Sequence, residues 1–592
     1  RVVQFGRKPV QQKDSVRVTS KSRSAWLKVA SFVLFGAFLS CMAYRPAHAS
    51  EEVGTEEVTI DWKNYLSGRF ASTHRDTHRA ADHLNKAVEA DPDNPELVRQ
   101  AFSMSLASGR SEQAAALASK LATMEDQHTS LVDLVLSASA LRNKEWENLE
   151  QTLVNANADG IINLIKPLAR AWAAAEQGDV DAALDHLLVI KGSRSFDIFG
   201  SIHKAYILDY TGRTDEATAA YMDALIELQG ADLQVARAYG NLLERLGKQS
   251  AAQMIYAEFL EQNPSDLTMS YALERARSGE VPEPFISSAA AGVAEAYYNT
   301  ARRLARHRSR SPASIYLRLT LMLRPDFPIA QALLANLQDR ERRYDAALAS
   351  FTNLMDDPVF GWESQFERAR LLIQLDREDE AVAILEAMHR DRPEDIGVLA
   401  GLADQMRNNE QYELATEYYD QVLSLIGEPK QRHWSLLYSR GICFERTGKW
   451  KKAEKDFFAA LALQPDEPLV LNYLGYSWLE KGKNLDEALK MIEKAVEQRP
   501  EDGYIIDSLG WAHYQLKQYE ESIDWLEKAI MLQPEDPTIN DHLGDAYWRF
   551  GRKLEARFQW RHALVMKPEK EDVERIRAKI KNGLPKKHKR GE

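Results

Sequence analysis

Cysteine is nearly missing from this chain: 592 residues contain only Cys41 and Cys443. Neither a disulfide framework nor a cysteine-based zinc site can be assembled from two such distant residues, and Cys443 reads as a small buried apolar side chain. Positive charge is also in deficit, with 76 Lys and Arg against 88 Asp and Glu, a net −12. Phosphate contact is dominated by Lys and Arg, so this balance argues against a nucleic-acid partner. Gly (29) and Pro (21) are too sparse for a collagen-like or low-complexity chain. The length exceeds what one hydrophobic core can serve, which leaves several domains or a repeat array.

The apolar run "VASFVLFGAFLSCMAY", Val29 to Tyr44, has 16 residues, short of the roughly 20 needed to span a bilayer. Eight Lys or Arg and one acid, Asp14, lie within the preceding 28 residues, and "RPAHAS" comes after it with small residues at Ala47 and Ala49. This is the order of a signal peptide spanning residues 1–49, with cleavage expected after Ala49. Two alternatives stand beside it, lipidation of Cys41 behind Leu39-Ser40 and an uncleaved membrane anchor. Each exports the rest of the chain. Without residues 1–49 the charge becomes −20, from 67 basic and 87 acidic residues, which favours protein partners with basic or mixed surfaces.

What the sequence does contain is a repeat. Glycines 441, 475, 510 and 544 fall in register; so do Ala453, Ala488, Ser522 and Ala556, then Ala460, Ala495, Ala529 and Ala563. Each copy closes on a proline, 465, 500, 534 or 568, at steps of 35, 34 and 34. Small residues mark places where two helices of a hairpin cross closely, and proline ends the second helix. Phe457, Ile492, Leu526 and Trp560, between the two alanine columns, are expected to fill the space between hairpins. Such a hairpin leaves apolar faces open and must stack.

These columns resemble the tetratricopeptide repeat (TPR), a 34-residue helix-turn-helix. Less regular copies keep the same register around Gly68, Ala171, Ala205, Gly240, Ala335 and Ala369. The resemblance implies an all-α TPR solenoid, a right-handed superhelix of about 12 to 14 hairpins, with no stretch left over for an enzyme domain. The expected organisation is a divergent N-terminal TPR block (50–277), an irregular seam (278–292), a C-terminal TPR block (293–568), a capping helix (569–583) and a basic tail (584–592).

Residues with catalytic appearance dissolve into this register. "HRDTH", His74 to His78, has two histidines four apart but no zincin glutamate and no accompanying kinase motifs. The register puts His74 in the inter-helix turn and His78 at the start of the second helix, so no shared face exists. His513 occupies a column with Phe444, Trp478 and Tyr547 and reads as a packed residue. Strings such as "LERLGKQS" lack the glycines and preceding strand of a phosphate loop. No catalytic residue, metal site or cofactor is expected.

Subtracting the packing columns leaves one face of each first helix: Asn472, Tyr476 and Leu479; Asp507, Trp511 and Tyr514; Asp541, Asp545, Trp548 and Arg549. The resemblance implies that first helices line the concave side, so these residues would form a peptide-binding groove of aromatic anchors and polar groups able to satisfy a ligand backbone. The competing reading is that Trp511 and Trp548 brace adjacent repeats. The C-terminal block is similar to the large periplasmic TPR proteins and lipoproteins of bacteria, some of which are adaptors that assemble a carboxy-terminal processing protease and present its substrates. The function this implies is a non-enzymatic periplasmic scaffold, outer-membrane associated if lipidated. A structural scaffold in envelope polysaccharide export or outer-membrane biogenesis is the alternative.

Overall fold

The computed structural model describes residues 61–124, 127–156, 162–190, 194–228, 232–306 and 310–585. The expected signal peptide, with Cys41, and residues 586–592 of the basic tail lie outside the described residues. Among the described residues there are thirty helices and no strand. Twenty-eight of them pair into fourteen antiparallel hairpins; Leu267–Ser278 and Lys570–Asn582 stand alone. The fold is the all-α TPR solenoid that the sequence indicates.

Local chemistry sets the hairpin ends. Aspartates precede many first helices and accept from their orphan N–H groups, as Asp502 does from Tyr504 and Ile505 and Asp536 from Thr538 and Ile539. The turn between the paired helices requires a left-handed residue, such as Gly448 at φ 73°.

The glycine column governs the crossing. A Cβ built on Gly441 would lie 2.7 Å from Phe457, on Gly475 2.9 Å from Ile492, on Gly510 2.6 Å from Leu526 and on Gly544 2.5 Å from Trp560. The large residues therefore seat on the glycine of their own hairpin, a correction to their expected place between hairpins. Phe457 does both, since its ring also lies 5.4 Å from that of Tyr473 in the next hairpin. First helices of successive hairpins also touch one another, as Pro468–Glu480, Gly503–Gln515 and Pro537–Phe550 do in series. They form the inner face of the stack.

The chain divides into two compact units between Ala381 and Val382. The irregular segment at 278–292 lies inside the first unit. It feeds a hairpin that turns back on the stack. The helix Ala289–Arg306 and its partner Arg310–Leu323 contact Pro95–Ser108, Ser130–Asn143 and Ile162–Glu176, each the first helix of its hairpin. The hairpin lies along the inner face of the stack that precedes it. The run "AAAG" permits this entry: Gly292 meets the Trp172 ring so closely that a Cβ would come within 2.2 Å of it. A carboxylate receives the helix start, with Ala289 N–H donating to Glu176 Oε2 at 2.7 Å. Further along, buried Glu295 accepts from Gln234 at 2.6 Å, and Arg302 pairs with Asp232 at 2.6 Å.

Helix propensity favours replacing an interior glycine, but here the added methyl groups of Gly292→Val would wedge against Trp172. The substitution is expected to destabilise the first unit by about 1–3 kcal/mol. Amide exchange should accelerate in Ile162–Glu176 and Ala289–Arg306 while Gly503–Gln515 keeps its protection.

Candidate functional site

The groove columns stand three residues before and one, four and five after the packing glycine. In the second unit the structure places all nine groove residues, Asn472, Tyr476, Asp507, Trp511, Tyr514, Asp541, Asp545, Trp548 and Arg549, on three consecutive first helices. Their partners differ along the stack.

Trp511 is clamped. Its ring stacks on Tyr514 (centroids 4.5 Å, 10°) and on His542 of the next hairpin (4.0 Å, 16°), and its Nε1 donates to Glu480 at 2.7 Å. His542 Nδ1 lies 2.9 Å from Asp507 Oδ1. Burial opposes charge on His542, but Asp507, with Asp541 and Asp545 behind it, outweighs that and raises its pKa above the ordinary 6.5.

On the same helix as His542, Asp541 and Asp545 are 1% and 5% exposed. Lys579 Nζ donates to both at 2.8 Å, Arg575 reaches Asp541 at 2.6 Å, and Trp560 Nε1 donates to Asp545 at 2.9 Å. Burial, followed by the neighbouring Asp541, pushes the Asp545 carboxyl up against the pull of Lys579. The helix Lys570–Asn582 consequently does more than cover an apolar face with Ile576. It adds one more first helix whose buried Lys579 neutralises the acids that the sequence offered to a ligand.

The chain beyond that helix continues onto the same columns. Gly583 presses on Trp548, where a Cβ would come within 1.9 Å of the ring, and Arg549 donates to the Pro585 carbonyl at 3.1 Å. Trp548 also lies 5.4 Å from Trp560.

Asn472 and Tyr476 are different. Asn472 Oδ1 is buried without a hydrogen-bond partner, a state that normally costs about 1–3 kcal/mol. Burial pushes the Tyr476 hydroxyl pKa upward, and nearby Glu480 and Asp507 push it further. Asn472 Oδ1 is thus the one groove atom, among the described residues, that is buried without a partner.

The first unit shows the same columns occupied. Around Gly240 they fall on Arg237, Asn241, Glu244 and Arg245, residues that the sequence reading passed over although the spacing from the glycine is identical. Asn241 Nδ2 donates to the backbone carbonyl of Glu283 at 2.8 Å, and Arg237 lies over the Phe285 ring at 5.6 Å. Phe285 meets Tyr206 at 5.8 Å, and Ile286 is buried. The helix-free stretch "VPEPFISS", 281–288, is held here by side-chain amide, guanidinium and aromatic groups. Glu244 and Arg245 are spent on the scaffold, with Arg275 at 2.7 Å and Asp209 at 2.5 Å.

The histidines that looked chemical have structural places. His74 ends the helix Trp62–Thr73, its Nδ1 2.9 Å from the Phe70 carbonyl, and His78 begins Thr77–Ala90. His513 Nδ1 sits 2.7 Å from Gln518 Oε1.

Comparison with known proteins finds models of the tetratricopeptide repeat over residues 332–396, 402–468 and 446–503, and of the TPR repeat over 510–551. A TPR repeat-containing protein of Pseudomonas aeruginosa is 30% identical over 154 residues, 26% of this chain and 25% of that protein. The chain thus spans about a quarter of the length of this curated relative. Among solved structures, the Cut9–Hcn1 hetero-tetramer of the APC/C matches 88% of this chain and 96% of its own at 14% identity and a TM-score of 0.38. A tetratricopeptide repeat protein from Parabacteroides merdae matches 43% of this chain and 99% of its own at 16% identity and a TM-score of 0.36.

Two outcomes are expected from these contacts. Asn241→Leu removes the amide that holds Glu283, so amide exchange across 281–288 should rise while the Gln249–Gln262 helix stays protected. His542 has a raised folded pKa, so its pairing with Asp507 is fully present below about pH 6.5 and is lost as pH rises through the folded value. Urea midpoints of the second unit are expected to fall above that pH, and Asp507→Asn should flatten the profile.

Proposed function

We propose that the chain is a non-enzymatic scaffold that holds an extended segment of a partner protein across the inner face of its second unit, at Asn472 and Tyr476. The observation that carries this reading is in the first unit, where the same columns already hold a helix-free stretch by its backbone and an aromatic anchor. A face that binds extended chain once through polar side chains and adjacent rings supports the same use at the columns where Asn472 Oδ1 lacks a partner beside the Tyr476 ring. The tetratricopeptide-repeat matches across 332–551 support a protein-binding role of this general kind.

The site of action in this proposal is the bacterial periplasm. The basic stretch, apolar run and A-x-A pattern within residues 1–49 support export, with an outer-membrane attachment if Cys41 carries lipid. The partner in this reading is an envelope protease and its substrates, as the resemblance of the C-terminal repeats implies.

The test uses a photocrosslinking phenylalanine in place of Tyr476, which preserves ring size, with the same probe at exposed Glu497 on an outer helix as reference. A discrete protein adduct from position 476, absent from 497 and weakened by Asn472→Leu, is expected in intact cells. Equal labelling from both positions, or none from 476, would remove the groove assignment.

A further inference from the structure

Within this acidic chain one cleft has the opposite character. In the first unit, the turn after Trp62–Thr73 docks on the turn after Pro328–Arg340, although they are 266 residues apart: Arg75 donates to the Glu341 carbonyl at 3.0 Å and Arg343 to Thr77 Oγ1 at 2.8 Å. Arg75 (φ 62°) and Arg342 (φ 60°) are the left-handed residues of these two turns, so each guanidinium extends from a tightly fixed backbone. Between them lies a cleft of about 680 Å³ lined by Arg75, Arg340, Arg342 and Arg343, with Thr77 and Ser311 as hydroxyl donors and Glu341 as the lone carboxylate.

Arg343 is under-compensated. Arg343 is 12% exposed, its Nε is buried without a hydrogen-bond partner, and its carboxylate contact to Glu341 is a long 3.7 Å. Among the described residues no carboxylate reaches Arg342 or the neighbouring Arg318 at ion-pair distance. Arg318 packs so closely on Gly109 that a Cβ there would stand 2.6 Å from its Nη1. Burial and then the charge of Arg343 bring the Arg318 pKa down to about 10. Burial lowers that of His78 as well, followed by Arg318 and Arg110. A buried guanidinium nitrogen left without a partner is costly, and Arg343 Nε stands beside exposed Arg75, Arg340 and Arg342 at the mouth of the cleft, gathered by two turns that need no arginine for their own geometry.

We propose that this cleft is a binding site for a multiply charged phosphate-type anion. Guanidinium forks suit phosphate oxygens bidentately, and the volume accommodates a chain of phosphates rather than one ion. The contrary possibility is that the arginines only staple the two turns together, in which case no anion responds to them.

Titration calorimetry of the purified chain with inorganic tripolyphosphate, at ionic strength fixed with sodium chloride, decides between these. Saturable one-site binding is expected, weakened by about tenfold in Arg342→Asn, a substitution whose side chain suits the left-handed turn. Arg343→Gln should weaken it further. Arg577→Gln, on an exposed face of Lys570–Asn582 in the second unit, should bind as wild type. Citrate serves as the carboxylate arm, and tighter binding of citrate than of tripolyphosphate would overturn the phosphate assignment. Phosphatidylglycerol vesicles form a second arm: co-sedimentation lost in Arg342→Asn would place the phosphate on a lipid, and tripolyphosphate binding without co-sedimentation would place it on a soluble ligand. Absence of binding beyond the salt effect, or an unchanged affinity in Arg342→Asn, would leave the staple as the whole explanation.

Discussion

Everything in this protein rests on how closely two helix backbones approach. Where a glycine replaces a side chain, a ring or branched chain from the opposing helix occupies the vacated volume, and dispersion over that contact substitutes for the helix propensity that glycine forfeits. Phe457 on Gly441 and Trp560 on Gly544 are two instances within hairpins. Trp172 on Gly292 is the same device between helices far apart in sequence. One rule thus builds the hairpin, and its reuse lets a later helix enter the face of an earlier stack.

The polar side of the inner face derives from that packing. First helices that stack at a spacing of 34 residues bring side chains in equivalent columns together, so an acid in one copy finds its partner in the next. Asp507 with His542 and Asp541 with Arg575 and Lys579 are rungs of such a ladder. Buried ion pairs of this kind contribute less to net stability than to fixing register, because desolvation offsets much of their attraction. A ladder that tolerates only one alignment suits an array of similar modules that could otherwise stack out of step.

Much of this is legible in the sequence. Columns of glycine, alanine and proline specify hairpin, period and inner face, because steric demands at a helix crossing are local and recur. The occupant of that face is harder to read, since it depends on which distant segment arrives there. "SGEVPEPFISSAAAG" has the composition of a linker, and its prolines do exclude helix; its small residues are nonetheless the sign of a close approach, directed at Trp172 rather than at a sequence neighbour. The partners of Asp541 and Asp545 are within reach of the same arithmetic, because Arg575 and Lys579 stand one repeat further on. Treating the last helix as an apolar lid conceals them. The unsatisfied Asn472 cannot be distinguished from Asp507 by spacing, because the difference between them is made by which side chains the next hairpin supplies.

The tethered stretch at 281–288 sets a threshold for anything that would replace it. A segment anchored at both ends, by Leu267–Ser278 before it and Ala289–Arg306 after it, competes for its binding face at an effective concentration on the order of millimolar. An incoming peptide of equal intrinsic strength, present at micromolar levels, would therefore occupy that face only rarely. The first unit is in this sense a latched surface, and selectivity there belongs to ligands that engage a second point of attachment.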